Sequence, residues 1–184
     1  MMQKTNEISN LDDFYKQLFK KIALTTTLVV GISISSFLLT SLDIIHSFVP
    51  YIIVLLALLK TLFIVQLTFK QLTKIIGESH KLSHVLTLFG VLILLIVLSF
   101  SFDYHALYTT NVDSFKTSLT GNTPLIGHFF EFLYFSLITF SSVGFGDIVP
   151  ISVAGKIIVM LEVLLSFFVL VFGIANINRI HVDK

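Results

Sequence analysis

Glu131-Phe-Leu-Tyr-Phe-Ser-Leu-Ile-Thr-Phe-Ser-Ser-Val-Gly-Phe-Gly-Asp-Ile-Val-Pro150 is the stretch that decides the fold. Its first half belongs to an apolar segment, His128 to Phe140, that is too short to cross a bilayer, since a span needs ~20 residues. Its second half is a glycine-bearing loop. An apolar helix that stops short and runs into irregular backbone reads as a re-entrant segment. Irregular backbone survives at membrane depth only where protein buries it or where it lines a water-filled path. The stretch therefore implies a pore or cavity.

Working outward, the flanking sequence is membrane-like. The chain has 184 residues, of which 55% are hydrophobic and 12% charged, with mean hydropathy +0.94. A soluble domain carries about 25% charged residues. Four apolar stretches are long enough to span: Ile22–Leu42, Phe48–Phe69, Val85–Phe102 and about Val153–Ile177. A tight turn, Asp43 to Ser47, joins the first two. A polar, basic link from Lys70 to His84 precedes the third. A long polar link, Asp103 to Gly127, leads into the re-entrant segment. Before the first span, Leu11, Phe14, Tyr15, Leu18, Phe19 and Ile22 recur at helical spacing, with Ser9 or Asn10 as N-cap. This predicts an amphipathic helix, either lying in the interface or extending the first span. The division is 1–21 as an N-terminal amphipathic segment, 22–84 as two peripheral spans with a loop, and 85–184 as a domain built around the re-entrant segment.

Basic residues set the orientation. With four spans, both termini share a side with Lys4, Lys16, Lys20, Lys21, Lys70, Lys74, Lys81, Arg179 and Lys184. The other side holds Lys116 and Lys156. By the positive-inside rule the termini and the 70–84 loop are cytoplasmic, and the re-entrant segment enters from outside. The expected location is a plasma membrane or a bacterial inner membrane. The net charge of +1 gives no footprint for nucleic acid, and the absence of cysteine excludes disulfides and thiolate metal sites. No signal peptide is evident, no internal repeat is visible, and no span carries a ladder of Arg or Lys. No soluble domain is expected after Lys184.

The chemistry of the loop follows from its glycines. To strip water from a potassium ion, a pore must present stacked rings of oxygens, which backbone carbonyls supply when successive peptides turn toward one axis. Alternate residues must then take left-handed dihedrals, cheap only for glycine. Gly144 and Gly146, two apart, meet this need. Val143 and Phe145 are expected to point outward and pack against the pore helix, and Ser142 adds a hydroxyl. The preceding helix, about Phe129 to Phe140, aims its negative end at the ion path, with Glu131 in its first turn and Thr139 and Ser141 near its end. Asp147 follows at the outer mouth, either attracting cations or bracing the loop. Pro150 leads into the last helix.

This segment resembles the pore region of potassium channels, whose filter pattern is T-V-G-Y-G-D. The resemblance covers about residues 85–177. It implies an all-α membrane protein with four transmembrane helices and a re-entrant pore helix per chain, assembled as a homotetramer in lipid. It implies that carbonyls of Ser142, Val143, Gly144 and Phe145, ending at Gly146, hold K+ without any other cofactor. There are departures. Ser142 stands for threonine and Phe145 for tyrosine. Ile138 stands where some relatives carry a carboxylate that braces Asp147. Ser166 stands where many place a hinge glycine, leaving Gly173 as the alternative bend.

Other polar residues invite functional readings. Glu162 lies within the last span and Lys60 within the second. They are expected either to pair or to act separately, with Glu162 protonated or bonded behind the filter and Lys60 reaching a boundary or cavity. His80 and His84 have i, i+4 spacing, better read as a solvated loop than as a metal site. His128 precedes the pore helix and His46 and His105 are read as interfacial; Asn176 and Asn178 are read as a helix end. Passive potassium conduction is the expected function. A non-selective cation channel and a non-conducting regulatory subunit are the alternatives. An ion transporter with this filter would carry four pore segments. No nucleophile–base pair or phosphate loop suggests an enzyme.

Overall fold

The structure, a computed structural model, describes residues 26–35, 38, 48–69, 82–118 and 124–176. The amphipathic segment 1–21, His46, His80 and Asn178 lie outside these residues, and His84 falls in the first turn of the third helix, Leu82–Thr110. Five helices are described: α1 (Thr26–Ser35), α2 (Val49–Leu67), α3 (Leu82–Thr110), α4 (Leu125–Phe140) and α5 (Val153–Asn176). Two-residue strands β1 (Phe115–Lys116) and β2 (Val149–Pro150) pair antiparallel.

Among the described residues, three helices are long and apolar enough to cross a membrane: α2, the Phe89–Thr110 part of α3, and the Val153–Ile174 part of α5. Of the first expected span, Ile22–Leu42, the described part is α1, which is too short to cross by itself. Protein covers 67% of the α3 span, against 33% for α2 and 28% for α5, so α3 is the central post. It packs on α4, and α2 packs on both α3 and α5.

The third span differs from its expected end at Phe102. Helix α3 continues to Thr110, so Asp103, Tyr104 and His105 are helical and buried, not part of an outer loop. The physical reason is periodicity. Ile96, Phe100, Tyr104, Leu107 and Tyr108 keep one buried stripe running through the polar residues. His105, expected at the interface, sits edge-on between Phe129 and Phe132.

Helix α4 begins earlier than expected, with Pro124 at its N-cap, as suits a residue with a fixed φ and no N–H. His128 therefore falls in its first turn and Glu131 in its second, which removes Glu131 from the favourable N-terminal site.

Outside the helices, Asn111 caps a single 3-10 turn, Val112–Ser114, that redirects the chain into β1. Phe115 then enters an aromatic cluster with Tyr104, Phe132 and Phe135, with centroids 4.9 to 5.8 Å apart. Pairs of this kind contribute about 0.5–1.5 kcal/mol each beyond burial. Ile151 and Ser152 donate from their backbone to Ser114 O, so the chain leaving the loop is tied to the 3-10 turn that follows α3. Gly155 permits the close approach: a Cβ there would lie 3.3 Å from Pro150 Cβ.

Candidate functional site

The loop 141–147 hangs from the C-terminal end of α4. Backbone N–H groups of Ser141, Ser142 and Val143 donate to the carbonyls of Leu137, Thr139 and Ile138, at 3.0, 3.0 and 2.9 Å. Gly144 N donates to Ile138 O as well, at 3.3 Å. Orphan carbonyls of the helix end are thus satisfied by the loop itself. The amides of Val143 and Gly144 are turned back onto the helix. Ser141 Oγ adds a bond to Leu137 O at 2.8 Å, and Thr139 is buried.

The backbone alternates in hand. Ser142, Gly144 and Gly146 have φ of 58°, 55° and 80°, every second residue. The glycines were expected there; Ser142 was not. A left-handed L-residue costs roughly 1–2 kcal/mol. A Cβ on Gly144 or Gly146 would meet nothing within 4 Å inside the chain. Glycine is therefore required there for its dihedrals and not for space.

Val143 and Phe145, expected to point outward, are 53% and 71% exposed in the single chain. Ile148 is buried and anchors the exit of the loop, and Val149 and Pro150 form β2. Asp147 is exposed, and its Oδ1 accepts from Ile148 N at 3.1 Å. The Asp147 carboxylate interacts with the Tyr134 phenol and pushes its pKa up. Tyr134 lies one turn before Ile138, the position that lacks a carboxylate. Sequence reading missed this interaction.

Behind α4 lies a buried polar cluster. Glu162 of α5 is fully buried; its Oε2 is 2.5 Å from the Tyr104 hydroxyl and its Oε1 is 2.5 Å from Ser136 Oγ. Ser136 Oγ also lies 2.9 Å from Val97 O of α3. Lys60 does not pair with Glu162. Its ammonium forms an ion pair with Asp103, bonds Ser99 O at 2.6 Å and stands 4.3 Å from the centre of the Phe100 ring. Helices α2, α3, α4 and α5 meet at this cluster. Asp103, Tyr104 and Ser136 were missed in the sequence because Asp103 was assigned to a loop. The available signal was Lys60 itself: an ammonium in an apolar span demands a carboxylate partner at the same depth.

The two expected bending points are intact helix. Ser166 is buried and its Oγ donates to Val163 O at 2.8 Å. Gly173 lies under Phe89 of α3, whose ring would stand 3.1 Å from a Cβ at that position. His128 packs against Tyr108, with centroids 5.5 Å apart. Among the described residues no group of three or more His, Cys, Asp or Glu is placed to hold a metal.

Comparison with known proteins agrees with this geometry. A 50-residue segment is 44% identical to a hyperpolarization-activated voltage-gated potassium channel of Methanocaldococcus jannaschii. The match covers 27% of this chain and 23% of that protein, so the chain aligns with less than a quarter of its relative. No solved structure matches. The family model for ion channels matches residues 90–182, which hold most of α3 and all of α4, the alternating loop and α5. The chain is a membrane protein and belongs to this ion-channel family.

Proposed function

We propose that the chain is one subunit of a homotetrameric channel that conducts potassium passively, with Ser142 to Gly146 as its filter. The observation that carries this reading is the left-handed backbone at Ser142, Gly144 and Gly146 together with the amides of Val143 and Gly144 turned onto Ile138 O. A strand of alternating hand can direct successive carbonyls to one side, and amides engaged behind it leave those carbonyls free for an ion. One chain supplies a quarter of each oxygen ring. An exposed run of peptide groups at membrane depth has no place against lipid, which supports further copies around an axis. Exposed Val143 and Phe145 then pack on a neighbouring subunit. The relative's name supports potassium as the ion.

In this reading Asp147 stands at the outer mouth, residues 85–184 form the pore domain and residues 22–84 provide two peripheral spans. Both termini are cytoplasmic, in a plasma membrane or a bacterial inner membrane. No catalytic step is involved. The test is a reversal potential in planar bilayers, with potassium on one side and sodium on the other. A shift toward the potassium equilibrium potential, lost in Gly144→Ala, is expected. Robust current that reverses near zero means a non-selective pore. Silence of the purified protein means a non-conducting subunit.

A further inference from the structure

The polar cluster behind α4 contains more contacts than an ionised Glu162 can supply hydrogens for. Three oxygen–oxygen contacts run in series: Tyr104 hydroxyl to Glu162 Oε2 at 2.5 Å, Glu162 Oε1 to Ser136 Oγ at 2.5 Å, and Ser136 Oγ to Val97 O at 2.9 Å. Each needs one hydrogen, because two oxygens that close without one repel. Val97 O is a carbonyl, already accepting from Ser101 Oγ at 2.6 Å, and has no hydrogen to give. The hydrogen between Ser136 and Val97 must therefore be the serine's own. Ser136 then has none left for Glu162. The phenol of Tyr104 supplies the first contact, so the middle one needs a hydrogen from the carboxyl group of Glu162.

Charge balance leads to the same assignment independently. The titratable groups facing Glu162 are Lys60 from α2 and Asp103 and Tyr104 from α3; α4 presents the Ser136 hydroxyl. Lys60 and Asp103 neutralise each other. A neutral Glu162 leaves the cluster without net charge, while an ionised one leaves an uncompensated anion in the middle of a span, where ionised groups are costly.

We propose that Glu162 carries its proton in the folded subunit and is the positioning residue of the pore helix, donating to Ser136 so that Ser136 can hold α4 to α3. The role in the filter rests on the channel reading above; the proton does not. When Glu162 loses its proton to water, Ser136 turns its hydrogen to the new carboxylate and releases Val97 O. The tie between α4 and α3 opens, and the loop hung from α4 loses its support. Current therefore falls as pH rises. Glutamine mimics the neutral acid: its amide donates to Ser136 and its carbonyl accepts from Tyr104.

Infrared spectroscopy of the full chain in lipid tests the proton directly. A protonated carboxyl C=O band is expected at neutral pH, absent in Glu162→Gln and fading under alkali. If wild type and Glu162→Gln show the same carboxyl bands, the proposal is overturned whether or not the protein conducts. In bilayers, Glu162→Gln should keep potassium selectivity and lose the alkaline decline, while Glu162→Leu should lose selective current at least tenfold. Collapse of Glu162→Gln to the level of Glu162→Leu would equally overturn it. A wild-type protein that is silent yet keeps the Glu162 band would instead remove the channel reading alone.

Discussion

Asp103→Asn removes one half of a fully buried ion pair and leaves the Lys60 ammonium in a membrane span. Its remaining partners are a single carbonyl, Ser99 O at 2.6 Å, and the Phe100 ring at 4.3 Å. Breaking a buried pair by removing one partner costs about 3–5 kcal/mol. With the carbonyl and the ring retained, the lower end applies, about 3 kcal/mol. That is roughly a hundredfold loss in the folded-to-unfolded ratio. Replacing both partners, Lys60→Met with Asp103→Leu, removes both desolvated charges and should restore most of the stability, since apolar replacement of a whole buried pair is often neutral. The assay is reversible denaturant unfolding in micelles for wild type, Lys60→Met, Asp103→Leu and the double variant, with Asp103→Asn alongside. With each single variant costing about 3 kcal/mol and the double variant near wild type, the cycle should return a coupling of about 6 kcal/mol. Single variants that each cost under about 0.5 kcal/mol, and that add in the double variant, would refute the reasoning. They would mean that α2 is held to α3 by apolar packing and that the pair contributes nothing net.

Two further outcomes follow from the geometry. Gly173→Ala gains roughly 1 kcal/mol of helix propensity but presses a methyl against Phe89. It should destabilise the wild-type chain and stabilise one carrying Phe89→Leu, a reversal of sign readable in the same unfolding assay. The Asp147 carboxylate holds the Tyr134 phenol above the ordinary phenol range. In Asp147→Asn, ultraviolet titration should show one tyrosine ionising at lower pH than in wild type. Tyr134→Phe should abolish that difference and, with this interaction gone, speed the decline of current during sustained conduction.

The hydrophobic runs made two of the spans legible without any structure, because a bilayer imposes length and polarity on every crossing segment. The alternating backbone of the 141–147 loop was legible in part too. Gly144 and Gly146 sit two apart after a short apolar helix, and few physical demands other than alternating backbone hand produce that spacing. What the sequence hid were events between elements. Asp103 follows eighteen apolar or small residues, and a charge at that point resembles a helix end. Only the helix running on to Thr110, with Lys60 arriving from α2, turns it into a buried partner.

Ser142 could not be identified as left-handed from its type, since the serine there is forced by bonds from its neighbours to Ile138 O, not by its own preference. The interaction of Tyr134 with Asp147 was likewise invisible, because the phenol approaches from one turn before position 138. Local chemistry, read along the chain, thus determined which segments enter the membrane and where the backbone must alternate. Tertiary structure decided which buried polar groups meet. The reason is that a polar group's partner at membrane depth is set by which helices share that depth, and helix register is a property of packing that no single segment encodes.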